Sequence, residues 1–444
     1  MNWISNFLEL INSREQSILP LIFLFFLFII LLRNLDLGLY LLIFSIPLSP
    51  KITGIFGSEI PIRIDDILIV MLFMVWIMKI SKGEAHIYKT PFSALIMSLF
   101  IFMVANTVLG YIGKGTIVNI KYSVCVLLKN FEYYAVFFLI ASNIHTRRQI
   151  KNIITLWMAA YFLVIVYGIA EHLVTHAERL YDGAWWLYDS QSNHMGGYLM
   201  ISTIIALALS MAANNVKRKI SYLVLILLSL YPFFYNQSKQ AYLSFTVSLT
   251  LIYLFLRPYL LFIPALLILV LFFGIPRLFP HMKETETINF LKLSISKGYD
   301  ESQDTTVISP DSADIRRRII KRSFREFSKY PLIGRGTGYR PLAWYDSQVP
   351  LLLFENGIIG TAIFVWLLLR LLISGFKNFL VSKDSYFKAL SAAFIASYFG
   401  VLIHSVAAPA WVITLIIEPF WFFAAIMVII DRINKKEAAL NRSP

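Results

Sequence analysis

Apolar stretches long enough to cross a membrane recur along almost the whole chain, and they constrain the fold more than any other feature. The hydrocarbon core of a bilayer is about 30 Å thick, and a helix of about 20 residues crosses it. The 444 residues are 58% hydrophobic, whereas soluble proteins are about 45–50% apolar. A transmembrane barrel would show short segments of alternating polarity instead. The expected fold class is therefore all-α, a polytopic integral membrane protein.

The hydropathy pattern predicts 12–13 transmembrane helices, the second of them short enough to be partly re-entrant. The predicted spans are 18–32, 36–49, 65–78, 91–110, 123–141, 152–170, 195–213, 220–236, 241–256, 259–274, 349–373, 386–403 and 412–430. They divide the chain into an N-terminal bundle (1–274), a large loop (275–348) and C-terminal helices with a tail (349–444).

The net charge of +14 follows the positive-inside rule, which places lysine- and arginine-rich short loops in the cytoplasm. The short loops after the third, fifth, seventh and eleventh spans, and the tail, are all basic and share one side. Alternation then puts loop 275–348, loop 171–194 and the tight turn 236–240 on the outer face. No nucleic-acid partner is needed to explain the charge.

Loop 275–348 contains a predicted amphipathic helix at 311–330. Six of its cations, Arg317 among them, lie on one half of the helix, as on a solvated face or one that touches anionic headgroups. Arg316 points instead into the apolar half. Its side chain either snorkels to water or grips an anion, since the planar guanidinium matches phosphate oxygens.

Three further polar residues follow in the same loop. Arg335 and Arg340 lie in a glycine-punctuated segment that is either an ordinary loop or a place where backbone approaches a ligand closely. Asp346 either caps the next helix or acts as a general base toward a sugar hydroxyl.

Loop 171–194 combines aromatic residues with His172 and Arg179. The aromatic residues suit an interfacial belt or stacking on sugar rings. His172 and His176 are one helical turn apart, but the zinc-protease pattern and a nearby cysteine are both lacking, so no metal is expected. Within the spans, Lys129 and Glu132 are expected to pair because they are three residues apart, and Glu418 has no evident partner.

Four short motifs, in order, resemble the O-antigen ligase and polymerase (Wzy) superfamily of bacterial envelope glycosyltransferases. They are Ser192–Gly196 opening a central span, the turn Ser238-Lys239, Arg316 ahead of Pro331–Gly336, and Asp346-Ser347 nine residues before Gly357–Gly360. The matching region covers roughly 185–375.

The resemblance implies a metal-independent, GT-C-like membrane glycosyltransferase without a cofactor, located in the bacterial inner membrane with its active face in the periplasm. Its partners would be the bilayer, an undecaprenyl-diphosphate-linked oligosaccharide and a chain-length regulator protein. Arg316 and Asp346 would be catalytic. The expected substrate-binding residues are Lys239, Arg340, Arg179, His172, Asn193, Arg317 and Arg335.

Two departures from the family pattern bear on the reaction. The family's turn arginine is Lys239 here, which keeps the charge but loses the planar fork. The ligases' histidine is Asp346 here, which favours a repeat-unit polymerase. The alternatives are an O-antigen ligase, a lipid-linked oligosaccharide flippase or other transporter, and a non-catalytic scaffold of envelope assembly.

Overall fold

The computed structural model describes residues 18–52, 62–113, 120–175, 192–263, 323–325, 327–338, 347–406 and 408–440. These residues are mostly helical, as the composition predicts. The helices are α1 (Ile18–Arg33), α2 (Leu35–Ser45), α3 (Ile64–Ser81), α4 (Ser93–Ile112), α5 (Ile120–Asn143), α6 (Arg147–Thr175), α7 (Ser192–Ala212), α8 (Val216–Tyr235), α9 (Lys239–Leu256), α10 (Gln348–Val381), α11 (Ser385–His404) and α12 (Thr414–Leu440).

Nine of the helices in the described ranges are long and apolar enough to cross a membrane, which is the pattern of a multi-pass membrane protein. The helix α3 has 18 residues but carries two aspartates in its first turn and Lys79 in its last. The helix α2 has only 11 residues. It ends before the predicted limit of residue 49 because Pro47 follows it, and proline removes a backbone donor and clashes with a continuing helix.

Helices joined by short loops run antiparallel, so their ends alternate between the two ends of the bundle. The loops 144–146, 213–215 and 382–384 lie at one end, together with the basic residues that flank them. We call this the basic end. The starts of α3, α5, α7, α9, α10 and α12 lie at the other, here called the opposite end. A two-stranded antiparallel sheet precedes α3, in which β1 (Lys51–Ile52) pairs with β2 (Ile62–Arg63).

The centre of the bundle is formed by α7, α11 and α12, most of whose residues are buried. Against α11 pack α7, α9 and α10, while α12 packs on α5. Alanine and serine are frequent on α7 and α11, and small residues let membrane helices approach closely. Trp157 of α6 stacks on Phe422 of α12 at 5.6 Å and donates to Ser202 of α7 at 3.2 Å.

Two sequence predictions, one in the large loop and one just before it, fall partly outside the described residues. The amphipathic helix 311–330 is described only at its end, where Ser323–Arg325 is helical and residues 328–329 already form a turn. The helix therefore stops before Tyr330, because proline at 331 disfavours helical backbone in the residue before it. Of the span 259–274, the described part begins with a 3₁₀ turn at Pro258–Leu260.

Candidate functional site at the opposite end

The helix α10 is interrupted at Gly357, where φ is 61° and ψ is −166°. The segment that starts at Pro331 lies in this interruption and bonds to both sides of it. Arg335 N donates to Phe354 O at 2.9 Å and Gly336 N to Glu355 O at 3.0 Å. In return, Ile358 N donates to the Pro331 carbonyl at 2.9 Å. These bonds satisfy backbone groups that a broken membrane helix would otherwise leave unpaired.

Two glycines make this contact sterically feasible. Gly334 and Gly357 both have positive φ, at 68° and 61°. A Cβ atom on Gly334 would lie 2.5 Å from the Glu355 carbonyl oxygen, and one on Gly357 would lie 2.5 Å from Gly334 N. The two motifs Pro331–Gly336 and Gly357–Gly360 therefore pack directly on each other. We call residues 331–338 and 354–359 the glycine junction.

Polar side chains from α4 and α10 surround the glycine junction. Glu355 Oε1 accepts from Gly338 N at 2.9 Å, and Asn106 Nδ2 donates to the Glu355 carbonyl at 2.8 Å. Thr107 Oγ1 accepts from Thr337 N at 3.2 Å. The Arg335 side chain is buried, with its guanidinium carbon 5.2 Å from the centre of the Tyr330 ring. The predicted substrate ligand Arg335 thus lies inside the junction, against an aromatic ring.

The other two motifs with described residues also meet. Ser238 Oγ donates to Asn193 Oδ1 at 2.8 Å, which joins the start of α7 to the turn before α9. Gln237 in this turn has a positive φ of 53°. Lys239 is the first residue of α9 and its side chain is exposed. The turn therefore presents the lysine at the surface of the opposite end.

His172 lies next to this turn, at the end of α6. Its Nδ1 is 2.6 Å from the Tyr231 hydroxyl, and its ring centre is 3.8 Å from that of Tyr235. The two tyrosines are themselves 4.8 Å apart. His172 is thus part of an aromatic stack that adjoins Asn236, the residue before the turn.

A buried histidine that the sequence analysis did not select connects the motifs. His404 ends α11 and is fully buried, with Nδ1 3.4 Å from Ser244 Oγ of α9. Its ring lies beside the start of α7, where a Cβ atom on Gly197 would be 3.7 Å from His404 Cε1. The next residue, Ser405, accepts through its carbonyl from Gln348 N at 3.0 Å. The start of α10, directly after Asp346-Ser347, is therefore held beside the Asn193 motif. An isolated histidine at the end of an apolar span was the available signal.

A narrow cleft runs from the glycine junction toward α5 and α12. Its lining is mostly apolar, with a few carboxylate, amide and aromatic groups that can orient a ligand. The residues that provide these groups are Asn130, Tyr133, Gln348, Glu355, Trp411 and Trp421. At one side, the Tyr133 hydroxyl is 3.5 Å from Thr414 Oγ1.

Behind Tyr133 lies a group of buried charges, Arg63, Asp65, Asp66, Lys129, Glu132 and Glu418, which we call the charge cluster. The expected pair of Lys129 and Glu132 is confirmed, with Nζ 3.1 Å from the carboxylate. Lys129 also bonds to Asp66, and Arg63 pairs with Asp65 at 3.0 Å. Sequence analysis found only the local pair, because the other partners are far apart along the chain.

Five residues selected from the sequence lie outside the described ranges: the predicted catalytic pair Arg316 and Asp346, and the predicted ligands Arg317, Arg340 and Arg179. The helix-capping position that was one interpretation of Asp346 is taken by Ser347, whose side chain makes no capping bond. A search of the chain against models of protein families found no match, and a search of curated proteins found none either.

Proposed function

We propose that this chain is an integral membrane glycosyltransferase of GT-C-like fold that polymerises polysaccharide repeat units. The donor is a glycan on undecaprenyl diphosphate, and the acceptor is the non-reducing end of another lipid-linked repeat unit. The reaction takes place at the opposite end of the bundle, which faces the periplasm of a bacterial inner membrane. The large loop 275–348 lies on that side.

The observation that carries this proposal is the packing of the motifs that resemble the Wzy superfamily. Pro331–Gly336 bonds to the break of α10 beside Gly357, and the turn Ser238-Lys239 bonds to Asn193. The start of α10 is joined to the same group through Ser405. Two pairs of these motifs are thus in direct contact at the same end of the bundle, which supports the proposal that they form one site.

The proposed chemistry follows from the residue types. The acceptor hydroxyl oxygen attacks the anomeric carbon of the donor, and Asp346 takes the hydroxyl proton as general base. The bond from that carbon to the diphosphate breaks, and its electron pair leaves with undecaprenyl diphosphate. Arg316 and Lys239 stabilise the negative charge that builds on the leaving group, with Arg340, Arg179, Arg317 and Arg335 assisting. His172 and Asn193 bind the saccharide.

The distribution of buried charge favours a catalyst over a flippase or other transporter. Transport predicts charged groups along the full depth of the bundle. In the parts of the chain that are described, the charge cluster and Glu355 lie between the opposite end and the middle of the bundle, which Glu132 reaches as the thirteenth of the 24 residues of α5. The aspartate at position 346 favours a polymerase over a ligase, whose family pattern has histidine there.

The proposal is tested by substituting Arg316 and Asp346 in cells that lack the wild-type gene. We expect Arg316→Ala and Asp346→Asn to abolish the ladder of long-chain surface polysaccharide, while the protein still inserts into the membrane at the wild-type level. Lys217→Ala, a change in the first turn of α8 at the basic end, is the matched loss of charge and should leave the ladder unchanged. A normal ladder in the Arg316 variant would contradict the assignment.

A further inference from the structure

The charge cluster carries more negative than positive charge. Its carboxylates are Asp65, Asp66, Glu132 and Glu418, and its cations are Arg63 and Lys129. Two negative charges therefore remain uncompensated within the described part of the chain. Charges buried inside a membrane protein are costly unless they are paired, so the cluster needs either a bound cation or protons on two of its carboxylates.

The two cations of the cluster already have partners. Arg63 donates from Nε to Asp65 Oδ1 at 3.0 Å and also bonds to the Ile46 carbonyl. Burial disfavours its charged form, but the carboxylates of Asp65, Glu418 and Asp66 hold the pKa of Arg63 above its ordinary value. Lys129 bonds to Asp66 Oδ2 and pairs with Glu132. Neither side chain forms a hydrogen bond with Glu418.

Several carboxylate oxygens in the cluster are buried without any hydrogen bond. Among the described residues they include Asp66 Oδ1 and both oxygens of Glu418, while Asp65 Oδ2 has only its ion pair with Arg63. Glu418 comes from α12, is fully buried, and points at the aspartate pair that begins α3. Taking one oxygen from each of the three residues, all lie within 4.8 Å of one another. Three acids from two distant segments thus surround one point.

We propose that Asp65, Asp66 and Glu418 bind a hard divalent cation of the Ca²⁺ class. Carboxylate oxygens are the ligands that such cations prefer. Calcium binds oxygen at about 2.3–2.6 Å, so ligands on opposite sides of it lie up to about 5 Å apart. Magnesium demands near-ideal octahedral geometry and usually keeps several of its waters, so Ca²⁺ is the first cation to test. The two positive charges of such a cation would also balance the two negative charges that remain uncompensated in the cluster.

The cation would join α12 to the start of α3, and hence to the hairpin that contains Arg63. Ser49, whose hydroxyl accepts from Asp65 N at 2.8 Å, lies at the same place and offers another oxygen. None of the residues assigned to glycosyl transfer belongs to the site. The cation is therefore structural, and its binding is independent of the proposed function.

The test compares wild-type protein with Glu418→Gln, purified in detergent and freed of divalent cations by a chelator. Equilibrium binding of radioactive Ca²⁺ and the unfolding temperature are measured for both. We expect the wild type to bind one Ca²⁺ and to gain thermal stability as Ca²⁺ rises, because a ligand that binds only the folded state stabilises it. Glu418→Gln should bind at least roughly tenfold more weakly.

A reversal in the order of stability distinguishes a bound cation from carboxylates that are neutralised by protons. In chelator, Glu418→Gln should unfold at a higher temperature than wild type, since it lacks one uncompensated charge. In Ca²⁺ the order should reverse. Glu84→Gln, which removes an exposed carboxylate at the basic end, controls for nonspecific binding and should behave as wild type in both conditions.

Two outcomes would overturn the proposal. Equal Ca²⁺ binding by wild type and Glu418→Gln would mean that the ion binds elsewhere. Absence of binding, with wild-type stability that changes only with pH, would mean that protons neutralise the carboxylates instead.

Discussion

The glycine junction and the charge cluster both lie near the opposite end of the bundle, but different interactions hold them together. In the junction, backbone groups of residues 331–338 bond to backbone groups of a broken helix, and two glycines let the chains touch. In the cluster, charged side chains from α3, α5 and α12 face one another. The junction depends on shape, so added atoms disrupt it. The cluster depends on charge balance, so removal of a charge disrupts it.

The largest effect is expected from removing a cation of the cluster. Arg63→Met keeps most of the side-chain volume but leaves Asp65 without its partner and increases the surplus of negative charge. Breaking a buried ion pair from one side costs about 3–5 kcal/mol. The free energy of unfolding, measured by denaturant titration in detergent, should fall by that amount.

The control for Arg63 is the exposed pair of Lys79 and Glu84, 3.3 Å apart. Lys79→Met should lower the free energy of unfolding by at most about 1 kcal/mol, because water screens an exposed pair. Similar losses for both variants would mean that the cluster is hydrated rather than buried.

A smaller but still large effect is expected from Gly357→Ala in the junction. The added methyl group combines a strained positive φ with a contact on the backbone of Gly334, and together these cost about 2–5 kcal/mol. We also expect polysaccharide synthesis to fail, because the break in α10 shapes the predicted active site. Thermal unfolding and the polysaccharide ladder measure the two effects.

Gly83→Ala is a matched control, because Gly83 also has a positive φ of 74° but nothing lies within 4 Å of an added Cβ. The loss of unfolding free energy in Gly83→Ala therefore measures the backbone strain alone, which we expect to be about 1 kcal/mol. If Gly357→Ala costs no more than Gly83→Ala, the close packing of the junction is refuted.

The smallest effect is expected at the edge of the junction. Asn106→Leu removes one of the two donors to the buried Glu355 carbonyl, which keeps its bond from Gly336 N. The expected cost is about 0.5–1.5 kcal/mol, the usual net contribution of one hydrogen bond. Ser98→Ala, on an exposed part of the same helix, should change the free energy of unfolding by less than about 0.5 kcal/mol. Equal losses of unfolding free energy for Asn106→Leu and Ser98→Ala would mean that water takes the place of the asparagine side chain.

Hydropathy was sufficient to locate the helices of the described ranges, because a membrane span needs a long apolar run regardless of its neighbours. The pair of Lys129 and Glu132 followed from helical spacing. The rest of the charge cluster could not be predicted in this way, because Asp66 is 63 residues before Lys129 and Glu418 is 286 residues after Glu132. Helix spacing gives no information about which distant helices pack together.

The junction was foreseen only as two glycine motifs in order along the chain. Their direct contact depends on the break in α10, and a glycine in an apolar run does not by itself indicate a break. His404 was missed for a related reason. One histidine at the end of a span gives no hint that the start of α7 and Ser244 meet there.

The central claim is that the opposite end of the bundle transfers glycans from a lipid diphosphate. Its most direct test is reconstitution of the purified protein in liposomes with lipid-linked repeat units as the only substrate, scored by the length of the lipid-linked glycan. The proposal predicts stepwise lengthening with release of undecaprenyl diphosphate, and none with Asp346→Asn. The proposal would be contradicted if the repeat units kept their length with the wild-type protein. This would happen if the protein only moved them across the bilayer, or if it transferred them only to a second acceptor lipid.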